Sequence, residues 1–181
     1  PKVLGSGAGQ LAKGREIAAL LLWTGAVFLV MALASYSGEP AAALNEVGPP
    51  LSGADWVGPV GAHVARAIVS MIGVMAWVIP LEAALLGIPF VRGRKSTITP
   101  TRIGGDILLI VVASALVQVG APGKLAFGKH TASGAVGELF GELSRSLFST
   151  AGSFLVGFAV LSLVLIGRAT FSFIALVHAI E

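Results

Sequence analysis

Ile17-Ala-Ala-Leu-Leu-Leu-Trp-Thr-Gly-Ala-Val-Phe-Leu-Val-Met-Ala-Leu-Ala-Ser-Tyr36 runs for twenty residues without a charge. A helix needs about 20 apolar residues to cross the hydrocarbon core of a bilayer. Backbone amides find no water there, so such a run must be helical. Lys13 and Arg15 precede it, and Ala32-Leu33-Ala34 resembles a signal-peptidase site. Signal h-regions are shorter than this run, so the expectation is a retained first span.

Three further stretches follow the same rule. Met71 to Val91 is apolar around Pro80 and Glu82. Ile103 to Val119 carries Asp106 and Gln118 near its ends, and Ala151 to Gly167 is uncharged. The predicted spans are therefore 17–36, 71–91, 103–119 and 151–167. The rest of the composition agrees. Apolar residues make 55% of the 181-residue chain and charged residues only 12%, against about 25% charge in soluble domains. Mean hydropathy is +0.90. Too little charge is present to coat a water-facing globule. The expected fold class is an all-α integral membrane protein, with four transmembrane helices plus amphipathic interfacial helices on the external side.

The cations give an orientation. Lys2, Lys13 and Arg15 precede span one, Arg92, Arg94, Lys95 and Arg102 lie between spans two and three, and Arg168 follows span four. These are eight of the twelve Lys and Arg, and no acid interrupts the Arg92–Arg102 loop. The positive-inside rule makes that loop and both termini cytoplasmic. Residues 1–16 are then a cytoplasmic tail, 17–170 the four-span domain, 37–70 and 120–150 external segments, 92–102 a cytoplasmic loop, and 171–181 the cytoplasmic start of a linker. The basic cluster is expected to contact anionic headgroups.

Outside the spans, Ser37 to Trp56 is rich in Pro, Gly and Ala and reads as a loop. Val60 to Val91 as one helix is about 48 Å long, more than the core needs. Its first third is expected to lie in the outer interface or to project as a continuous helix, with Val60, Val64, Ala67 and Ile68 as its stripe. Gly134 to Thr150 is amphipathic. Val136, Leu139, Phe140, Leu143 and Leu147 form one face, Glu138, Glu142 and Arg145 another, and Ser133 is the expected N-cap. The first reading is a helix lying on the membrane, and the second is a partner-binding helix. Phe173, Leu176, Val177 and Ile180 form a last stripe. The chain begins at Pro1 and stops at Glu181 in mid-pattern, as expected of a piece of a longer protein.

Candidate chemistry is sparse. Glu82 is the intramembrane ionisable residue, read either as a proton or ion relay or as an interhelical lock facing the bundle interior. Arg102 and Asp106 are one helical turn apart and suit a local pair. His63, His130 and His178 have no metal-ligand spacing, and there is no cysteine to supply a thiolate. Gly120-Ala-Pro-Gly-Lys124 lacks the spacing and hydroxyl of a P-loop. No catalytic, cofactor or metal site is expected. Gly73, Gly87, Gly137 and Gly141 are candidates for close helix packing.

Several stretches in order carry a resemblance. They are Gly14-Arg-Glu-Ile17, Ser35-Tyr-Ser-Gly-Glu-Pro40, Asn45-Glu-Val-Gly48, Gly58-Pro-Val-Gly-Ala62, Gly73-Val-Met-Ala-Trp-Val-Ile-Pro80, Ser133-Gly-Ala-Val-Gly137 and Leu147-Phe-Ser-Thr-Ala-Gly152. Together they resemble the N-terminal four-span membrane domain of bacterial FtsK/SpoIIIE-type DNA translocases. Two departures stand out: no Asp or Asp-Pro follows Pro40, and Ser133 stands where the family pattern has Gly. The resemblance implies an inner-membrane anchor at the division septum that contacts other cell-division membrane proteins. It implies self-association, as a hexamer through a motor carried elsewhere, with ATP and Mg needed only by that motor. It implies no direct DNA binding by these residues. A different class of function, a small four-span transporter or channel subunit using Glu82, is the alternative.

Overall fold

In the computed structural model, residues 6–36, 56–91 and 100–168 are described. Helix α1 spans Ser6–Ser35, α2 Gly58–Ile72, α3 Val78–Val91, α4 Pro100–Gly120 and α5 Gly134–Arg168. A 3-10 segment, Gly73–Trp77, joins α2 to α3. Strands β1, Leu125–Ala126, and β2, His130–Thr131, form a small antiparallel hairpin that the sequence did not signal. Among the described residues four stretches are long and apolar enough to cross a membrane: Glu16–Ser35, Gly58–Pro89, Arg102–Gly120 and Gly134–Gly167. Among the described residues the membrane fold is helical apart from the hairpin. The expectations placed on Ser37 to Asp55, on Arg92, Arg94 and Lys95, and on Phe173 to Ile180 fall outside the described residues.

Two compact units make up the chain. In the first, α1 packs on α3. They approach closely at Gly87, where a β-carbon would run into the Trp23 indole. The indole Nε1 donates to the Ala84 carbonyl at 3.2 Å. That acceptor lies one residue before Leu85, whose carbonyl loses its helical donor to Pro89. The same unit holds most of α2, where Gly61 lies against Val57 and Ala32 of α1.

Helix α2 packs through its small residues. Gly61, Ala62, Ala65 and Val69 are buried, whereas Val60 is 68% exposed and Ala67 is exposed as well. In lipid, large apolar side chains gain nothing by turning inward, while small ones let helices approach. No continuous helix runs from Val60 to Val91. Gly73 takes φ +57° and ends α2, so of the two expected arrangements the single continuous helix is not the one found. The 3-10 segment follows, and Pro80 then sits in the first turn of α3, where a missing N–H costs nothing.

The second unit comprises residues 69–75 and 98–181. Its centre is the packing of α4 against α5. Helix α5 is not one straight rod. Ser149 adopts φ 56°, ψ −179° and divides it in two. Before the break, Gly137 faces the Ser114 carbonyl, and Gly141 faces the Gln118 side chain and the Ala115 carbonyl, all on α4. After the break, Gly120 faces Phe154 and Gly157 faces Leu116. The contacts now descend α4 as α5 advances, which is an antiparallel run.

Candidate functional site

The most elaborate polar construction among the described residues lies where the helix break at Gly73 meets the start of α5. A helix that stops inside a membrane strands backbone groups that water would otherwise satisfy. Here they are taken up by other parts of the unit. The Ile72 carbonyl accepts the Ser114 hydroxyl at 3.3 Å. The Val74 N–H donates to the Ala132 carbonyl at 2.8 Å. Ser114 is fully buried.

Glycine makes this approach possible. A β-carbon on Gly73 would collide with the Ala132 carbonyl, and one on Gly134 would meet the backbone of Met71 to Gly73. Both residues have positive φ, +57° and +65°, which a side chain disfavours independently of the contact. Gly137 and Gly141 extend the same close seam along α4. All four glycines singled out in the sequence, Gly73, Gly87, Gly137 and Gly141, thus occupy positions of close approach.

Ser133 does not serve as the expected N-cap through its side chain. Its hydroxyl donates instead to Gln118 Oε1 at 2.7 Å, with both residues buried. The bond ties the residue before α5 to the last turns of α4. Sequence reasoning assigns no role to Gln118 or Ser114. Their signal was available: two polar side chains one turn apart in an apolar helix, Ser114-x-x-x-Gln118, have to find partners in lipid.

Between α4 and α5 the hairpin is tied back on itself. Lys124 N–H donates to the Ala121 carbonyl at 3.2 Å, and Ala132 N–H to the Lys124 carbonyl at 2.7 Å. Phe127 and Gly128 at its tip both have positive φ. Lys124 and Lys129 are exposed.

The other sequence candidates lie apart from this node. Glu82 is half-buried on α3, with one carboxylate oxygen shielded from solvent. Arg102 and Asp106 are half-buried, one turn apart on α4. Leu139, Phe140, Leu143 and Leu147 of the amphipathic stretch are exposed, and Val136 is half-buried. No group of three or more His, Cys, Asp or Glu able to hold a metal occurs among the described residues.

Chemically, this node is a closely packed joint between helices. It contains a broken helix, a seam of glycines and hydroxyls that each meet a backbone or amide acceptor. Residues 12–181 match the family described as the 4TM region of DNA translocase FtsK/SpoIIIE. The chain belongs to that family. No curated protein and no solved structure matches it. As an FtsK/SpoIIIE membrane region, the chain is a multi-pass membrane domain. The glycines and hydroxyls of the joint then set how the hairpin and α5 leave the end of α4.

Proposed function

We propose that this domain anchors a DNA translocase in the bacterial inner membrane at the division septum. In that position it contacts other cell-division membrane proteins and couples division to chromosome segregation. The observation that carries the reading is the family match across residues 12–181. The ATP- and Mg-dependent motor belongs to another part of such a translocase, and this domain holds the motor in place without binding DNA. Self-association follows the motor's oligomer. Both termini and the Arg92–Arg102 loop are cytoplasmic, the side on which a motor meets DNA. The external segments 37–70 and 120–150 are the parts available to division proteins.

A fluorescent fusion of residues 1–181, expressed in dividing bacteria, tests the reading. It is expected to concentrate at midcell. An even distribution around the membrane at all stages of division would remove the divisome contact and leave a plain anchor. A reporter active only in the cytoplasm, inserted after Lys95, is expected to be active, and inactivity would reverse the orientation.

The buried carboxylate oxygen of Glu82 favours a second reading, a transporter or channel subunit. Glu82→Gln in liposomes separates the two. Proton or ion flux that depends on Glu82 supports transport, and no flux supports the anchor.

A further inference from the structure

We infer that the hairpin and the first part of α5 form a rim that binds an anionic phospholipid surface. The apolar arc of α5 enters the acyl boundary, and Lys124 and Lys129 meet headgroup phosphates. This deepens the reading above. It rests on the membrane placement of the family and not on the divisome contact, so the midcell experiment can fail while this one succeeds.

Before Ser149, α5 is divided around its circumference into three arcs. At 100° per residue, Val136, Leu139, Phe140, Leu143 and Leu147 fall within an arc of about 100°. Gly134, Gly137, Gly141 and Ser144 fall within about 80° on another side, and the three glycines among them are buried. The remaining arc carries Glu138, Glu142, Arg145 and Ser146. Three arcs of different chemistry suit an element with protein on one side, hydrocarbon on the second and water on the third.

Two observations choose lipid over a protein as the occupant of the apolar arc. First, the arc continues a lipid-facing surface. Beyond the break, Leu155, Phe158, Leu163 and Ile166 are all exposed on the stretch long and apolar enough to span. Secondly, the hairpin segment 120–133 contains Lys124, Lys129 and His130 and no Asp or Glu. Both lysines are exposed. A cationic, acid-free hairpin rooted at the end of α4 complements anionic headgroups.

The chain has no cysteine, so single cysteines can be placed without a background substitution. Spin labels at Leu143→Cys, Leu147→Cys and Ser146→Cys would be read in nanodiscs of zwitterionic or anionic phospholipid, with no other protein present. Collisions with oxygen and with a water-soluble nickel chelate measure depth. At positions 143 and 147 the nickel accessibility is expected to be several-fold below that at 146, and the oxygen accessibility correspondingly higher. Lys124→Glu with Lys129→Glu is expected to raise nickel accessibility at 147 in anionic nanodiscs and to leave it unchanged in zwitterionic ones. If 143 and 147 are as open to nickel as 146, the arc faces water, suits a protein partner, and the proposal falls. If the charge reversal has no effect in anionic nanodiscs, the headgroup contact falls.

Discussion

Two helix breaks occur among the described residues of this membrane domain, and they are built differently. At Gly73 the break is buried, the residue is glycine, and the freed groups are taken up by Ser114 and Ala132, distant in sequence. At Ser149 the break is exposed, the residue carries a side chain at φ 56°, and the nearby bond is local: the Ser153 hydroxyl donates to the Ser149 carbonyl at 2.6 Å. The buried break has no water to fall back on, so geometry and partners are both specified. The exposed break leaves the chain free to use an ill-suited residue and a bond from its own next turn.

The largest effect that would sharpen this contrast comes from Gly73→Ala. The new methyl meets a backbone carbonyl, and alanine is forced to positive φ. The left-handed conformation costs about 1–2 kcal/mol and overpacking about 1–3 kcal/mol more, so a loss of about 2–5 kcal/mol is expected. Unfolding by SDS in bicelles, followed by tryptophan fluorescence, measures it. An unchanged midpoint would mean that the close crossing of Gly73 and Ala132 is not a feature of the folded protein.

Ser149 should respond in the opposite direction. A non-glycine residue with this backbone is strained by about 1–3 kcal/mol. Glycine removes the strain but raises the entropy of the unfolded chain, which takes back up to about 1 kcal/mol. Ser149→Gly is therefore expected to stabilise by about 1 kcal/mol in the same assay. Destabilisation would show that the serine side chain has a role at the break that the backbone argument omits.

Much of the fold was legible because a bilayer asks a simple question of a sequence. The charge-free run Ile17–Tyr36 answers it by length alone. The close-packing sites were legible too, since glycine in an apolar helix has few other uses. Which face of an amphipathic helix packs was less legible. The stripes Val60/Val64/Ala67/Ile68 and Val136/Leu139/Phe140/Leu143/Leu147 mark an apolar face without saying what covers it. Here the helices pack through Gly61, Ala62 and Ala65, and through Gly137 and Gly141. The break at Gly73 was hidden for a related reason. Glycine in a membrane helix is common enough that a positive φ cannot be told from a packing notch without the carbonyl it faces. The pairing of Ser133 with Gln118 was hidden because it depends on where the loop between α4 and α5 returns, which a two-residue-per-strand hairpin decides.

The smallest pair of effects separates the breaks most directly, because the same atom is removed at each. Ser114→Ala and Ser153→Ala both delete a hydroxyl that donates to a backbone carbonyl, and both serines are buried. Hydrogen bonds between membrane helices average about 0.6 kcal/mol and reach about 1.7 kcal/mol. Ser114→Ala is expected near the upper figure, because the Ile72 carbonyl lies at a helix end and loses the donor that another helix brings to it. Ser153→Ala is expected to cost no more than about 0.5 kcal/mol, because a serine bonding back four residues in its own helix contributes little or bends it. A chemical-denaturation series on the two variants decides the order. Should Ser153→Ala prove the costlier, the exposed break would be the one that depends on its side-chain bond. The division between a specified joint at Gly73 and a tolerant one at Ser149 would then have to be reversed.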